Sequence, residues 1–170
     1  VMIGTLPLLG MATAVTSVTG AAYGAKNVDK LDKAYMYAIK LGFFVEAIVA
    51  LFTYFLAPWI TILFTHSANS ARIADDLTEF LKTMVFFYPF VAFGMFSSSM
   101  FQGVGKGVNS LVLTLLRTIV LTTPMAYIFG LVMHLGLTGI WMGIVTGNII
   151  GAIVAFSWGR LYIHSLKRYS

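Results

Sequence analysis

Glu46 is the only carboxylate placed well inside a long apolar stretch of this chain. An ionisable side chain at that depth is expensive, so an ion or proton pathway is its default reading. It follows Lys40 by six residues, which on a helix sets it about 9 Å deeper. Gly42, Ala50, Thr53 and Ala57 share its helical face, while Phe43, Phe44, Phe52 and Phe55 fall mostly elsewhere. Glu46 is therefore expected to face other helices or a water-filled cavity, where it could take up a proton or attract a cation. The competing reading, given equal weight, is a glutamate near the interface that caps a helix or pairs with a basic residue.

Four uncharged polar residues are weaker candidates for the same pathway. Tyr88 carries a hydroxyl that wants a partner, although a core aromatic is the commoner role. Ser98 and Gln102 share a face with Gly94 and could line a cavity or bond across helices, the second being commoner. Asn148 invites the same two readings. Arg117 is expected to snorkel toward the headgroups. His66, His134 and His164 lie far apart near segment ends, so no metal site is expected. No nucleophile–base set, HExxH pattern or paired-carboxylate motif is present, and an enzyme is not expected. The glycines at 103, 105 and 107 around Lys106 lack P-loop spacing and read as a tight turn.

The elements that must position these residues are membrane helices. Hydrophobic residues make up 59% of the 170, charged residues 10%, and mean hydropathy is +0.89. A soluble domain carries about 25% charged residues, so this chain could not cover a water-facing surface. Five stretches, roughly 1–25, 34–64, 80–102, 111–133 and 137–163, match the ~20 apolar residues a spanning helix needs. The expected fold is an all-α polytopic membrane protein with five transmembrane helices in a single lobe over residues 1–170. The net charge of +5 sits at helix ends and forms no basic stripe, which argues for lipid headgroups and against nucleic acid. Cysteine is absent, so no disulfide is possible. The chain opens at Val1 inside an apolar stretch and is expected to be a piece of a longer protein.

Lys and Arg placement sets the topology. Connections 26–33 and 103–117 and the C-terminus should be cytoplasmic, and connections 66–79 and 134–138 external. Small residues mark the helix contacts. Gly20 and Gly24 form a GxxxG pair, and Gly139, Gly143, Gly147, Gly151, Ala155 and Gly159 recur every fourth residue along one face. Such ridges let helix backbones approach closely in lipid.

Four stretches, in order, carry a family likeness: GMATAVTSVTGAAYGAKN (10–27), FSSSMFQGVGKGVNS (96–110), LRTIVLTTPMAYIFG (116–130) and GLTGIWMG (136–143). Together they resemble the C-terminal half of the multidrug and toxic compound extrusion (MATE) transporters. The resemblance implies helices eight to twelve of a twelve-helix, two-lobed plasma-membrane antiporter. It would export organic cations or drugs against inward H+ or Na+, use no cofactor, and need the N-terminal lobe as its partner. The sodium-coupled branch carries a carboxylate in the tenth helix, where this chain has none between Phe86 and Gly94. Glu46 matches no motif of the family. The alternatives are a lipid or lipid-linked oligosaccharide flippase of the same superfamily, a non-transport scaffold subunit, or a five-helix chain that completes itself as a homodimer.

Overall fold

The computed structural model describes residues 5–64 and 71–169. Of the connection expected at 66–79 between the second and third helices, residues 66–70, His66 included, lie outside the described residues. The remainder is not a connection but helix, within Ala71–Met84, whose polar residues extend the third helix beyond its apolar stretch. Within the described residues the chain is helical, with no strand. Five helices are long and apolar enough to cross a membrane: Leu6–Gly24, Val28–Thr61, Asp76–Gly103, Gly107–Val132 and Gly136–Arg168. They are called here the first to fifth helices.

The second helix begins at Val28, earlier than its apolar stretch suggests, because Asn27 caps it. The Lys30 amide donates to Asn27 Oδ1 at 2.9 Å, and Asp29 lies in the first turn, where negative charge is favoured. The turns before it and before the fourth helix are built alike. The Asn27 amide donates to the Ala22 carbonyl and the Lys26 amide to Tyr23, as the Lys106 amide donates to Phe101 and the Gly105 amide to Gln102. Both are Schellman caps, whose penultimate residue must be left-handed. Gly105 takes φ +75° without strain, and Lys26 takes φ +54° against it. Lys26→Gly should therefore raise stability and Gly105→Ala lower it, each by about 1 kcal/mol, as read from thermal unfolding in detergent.

The third helix is the hub. Its apolar window is 56% buried, against 6% for the fourth. Pro89 lacks an amide proton and crowds the turn before it, and the helix tightens to 3₁₀ over Val85–Phe87. Beyond that bend, Tyr88, Ala92, Phe96 and Met100 recur every fourth residue and are all buried. Tyr88, Ala92 and Phe96 of this stripe lie against Ala50 and Gly42 of the second helix and Met100 reaches Gly159 of the fifth, and Tyr88–Gly103 also contacts the first and fourth helices. The fourth helix widens to π-helical turns over Leu116–Thr122 and Ile128–Val132. The Thr122 and Thr123 hydroxyls donate to carbonyls five residues back, at Arg117 and Thr118, within and just after the first wide turn.

Two contacts gather the short turns and the end of the chain at one end of the bundle. Gly20 lies against the Gly103 carbonyl. Asp32 pairs with both Arg160 and Lys167, and Lys167 also reaches Asp29 at 3.1 Å.

Candidate functional site

Glu46 occupies the midpoint of the second helix and is fully buried, at 0% exposure. The expected face holds: Gly42, Ala50 and Ala57 are buried with it and Thr53 half-buried, while Phe43, Phe44, Phe52 and Phe55 point outward. Small residues on this face let the third helix close over the carboxyl group. The Phe96 ring and the Ala92 methyl lie against Gly42, one turn to one side. Ala50, one turn to the other, packs with Val85 and Tyr88.

The structure thus places Tyr88 against Ala50, one turn along the second helix from Glu46. Neither carboxylate oxygen of Glu46 has a hydrogen-bond partner among the described residues. Lys40 does not pair with it; the ion pairs among described side chains lie at the charged end of the bundle. An ionised carboxylate buried this way costs several kcal/mol. A group so placed is stable when a proton or a cation neutralises it.

Ser98 and Gln102 form a second group with a residue the sequence did not single out. Ser110, on the fourth helix, meets Ser98 Oγ at 2.5 Å and accepts from Gln102 Nε2 at 3.0 Å. Both candidates therefore bond across helices and also line a cavity of about 310 Å³. Arg117 lines the same cavity. Its stem crosses Gly151 and its guanidinium Nη1 lies over Gly94, so it turns into the bundle instead of snorkelling to the surface. Nothing local in the sequence foretold that turn, because the room comes from glycines on two other helices.

Asn148 stands apart from both groups and donates to the Ile144 carbonyl of its own helix at 2.9 Å. The fifth-helix glycines run antiparallel along the fourth helix. Gly139 abuts the Phe129 carbonyl, Gly143 the Met125 carbonyl, Gly147 Thr122 and Gly151 Arg117. Gly24, expected to pair with Gly20, has nothing within 4 Å of where a Cβ would stand. It lies one turn beyond Gly20, whose neighbour Gly103 is already the last residue of its helix.

Five apolar helices long enough to cross a membrane, with a buried carboxylate and a polar cavity between them, define a polytopic membrane protein. The MatE family model matches residues 1–128, and the chain belongs to that family. A curated relative from Bacillus subtilis strain 168, the probable multidrug resistance protein YpnP, is 24% identical over 156 residues. That match covers 92% of this chain and 34% of the relative, so the chain spans about a third of its length. Two solved structures of a multidrug resistance MATE family transporter of the MOP superfamily are closer in sequence. The inward-facing one is 50% identical with TM-score 0.96, covering 99% of this chain and 38% of that one. The outward-facing one is 51% identical with TM-score 0.94, covering 98% and 37%.

Proposed function

We propose that this chain is the second-lobe portion, helices eight to twelve, of a multidrug efflux antiporter, and that Glu46 is a coupling carboxylate within it. The observation that carries the reading is a fully buried glutamate with both oxygens unpartnered, at the centre of a membrane helix. Intramembrane carboxylates of this kind serve as proton relays in pumps and transporters. The coupling ion is the proton. A sodium ion would need a shell of oxygen ligands, and the residues packed one turn to either side of Glu46 are Ala92 and Phe96 at Gly42 and Val85 and Tyr88 at Ala50.

The five helices match the inward-facing and outward-facing relatives almost equally well. That supports a unit which keeps its shape while the transporter alternates, as rigid rocking of one lobe against the other requires. The missing N-terminal lobe would complete the cleft. The end bearing Lys26, Lys30, Lys33, Lys106, Lys167 and Arg168 faces the cytoplasm of a plasma membrane by the positive-inside rule. Aromatic side chains suit organic cations through cation–π contact.

The test is drug efflux by the complete transporter in proteoliposomes under an imposed pH gradient, wild type against Glu46→Gln. Loss of gradient-driven efflux with substrate binding retained supports the assignment. Unchanged efflux with unchanged pH dependence removes Glu46 from the coupling pathway.

A further inference from the structure

We infer that the cavity between the first, third, fourth and fifth helices is an oxyanion site, with Arg117 as its binding residue and Gln102 as a second donor. The cavity, of about 310 Å³, is separate from the Glu46 pocket: no residue of the second helix lines it. Arg117 is half-buried, ten residues into the fourth helix, and so about 15 Å along it from Gly107. Among the described residues its guanidinium has no hydrogen bond and no ion pair. No Asp or Glu lines the cavity. A guanidinium held at such depth without a counter-charge costs several kcal/mol, and the fold spends two glycines to keep it there. A Cβ on Gly94 would stand 2.8 Å from Nη1, and one on Gly151 2.6 Å from Cγ.

The other polar groups select the charge of the guest. The hydroxyls of Thr13, Thr16 and Thr114 donate to backbone carbonyls, at Gly10, Ala12 or Ser99, and Ser110. One hydroxyl of the Ser98–Ser110 pair donates to the other, and Gln102 Nε2 donates one hydrogen to Ser110. What remains to donate is the five-donor guanidinium, one amide hydrogen of Gln102, the Ser99 hydroxyl and one proton of the Ser98–Ser110 pair, and of these only the guanidinium is charged. Uncompensated positive charge in a planar fork fits the geminal oxygens of a phosphate or carboxylate. Such a group could arrive as the headgroup of an anionic lipid or as a free anion. The site does not depend on the efflux reading, since binding is measured without transport.

The test uses the complete transporter, stripped of lipid in neutral detergent. Binding of phosphatidylglycerol and of inorganic phosphate is followed separately, by native mass spectrometry and by thermal unfolding. At least one probe is expected to bind, and phosphatidylglycerol alone would identify the lipid headgroup as the source. Arg117→Gln should weaken binding roughly tenfold to a hundredfold, the worth of a charge-assisted hydrogen bond. Gly94→Ala keeps the charge but places a methyl where the guanidinium lies. It should weaken the same binding, and it decides the question if Arg117→Gln fails to fold. Binding of neither probe by the wild type would overturn the assignment, as would binding left unchanged by Arg117→Gln, or by Gly94→Ala where Arg117→Gln does not fold.

Discussion

Glu46→Gln is expected to reduce gradient-driven efflux in the complete transporter by roughly tenfold or more while leaving the fold intact. The amide has the shape of the carboxylic acid and removes the cost of burying a charge, so stability should hold or rise. What it cannot do is release a proton and bind one again. Glu46→Asp keeps the titrating group but draws it back by one methylene toward its own helix, and should retain partial coupling. Tyr88→Phe removes the hydroxyl of the buried aromatic packed against Ala50, one turn from Glu46, and leaves the packing with Val85 and Phe87 in place. It should shift the pH profile of efflux without abolishing it. A Glu46→Gln protein that pumps normally at every pH would reduce the buried carboxylate to a packing feature.

Gly143→Val is expected to have the largest effect on folding of any single substitution in the glycine ridge. A Cβ at position 143 would strike the Met125 carbonyl and stand 2.6 Å from the Ala126 Cα. These are backbone atoms of the fourth helix and cannot rotate away, so that helix must move off the fifth. Ordinary overpacking costs about 1–3 kcal/mol. Here the displaced helix also loses the register that seats Gly139, Gly147 and Gly151. The fourth helix has little else to hold it, since only 6% of its apolar window is buried. Fluorescence-detected size exclusion of the complete transporter should show the monodisperse peak lost. Gly24→Val is the control. It meets open space and replaces glycine in a last helical turn, so its profile should match the wild type. Equal loss for both variants would deny the ridge its structural role.

Much of this molecule is legible along the chain because lipid imposes simple rules. A backbone crossing hydrocarbon must satisfy its own hydrogen bonds, so five long apolar stretches read directly as five helices. The four-residue period of the fifth-helix glycines marks a contact face without saying which helix fills it; the fourth does from Gly139 to Gly151, and Tyr35 and Met100 of the second and third helices do at Gly159. The buried face of Glu46 followed from the same periodicity, since Gly42, Ala50 and Ala57 leave room that Phe44 and Phe55 would not. The helix boundaries were less legible. Val28 starts its helix through a side-chain cap at Asn27, and charged turns extend beyond the apolar stretch.

The sequence by itself determined the solvent, the helical class and the inward face of Glu46, because these depend on composition and on periodicity within one helix. The tertiary structure alone decided which candidates share a site. It packed Tyr88 against Ala50, one turn from Glu46, made Ser110 the common partner of Ser98 and Gln102, left Asn148 to its own helix and turned Arg117 inward. Each of those outcomes depends on the register and azimuth of one helix against another. Both are fixed by small residues on separate helices, such as Gly94 and Gly151 around Arg117, and no pattern within a single segment encodes them.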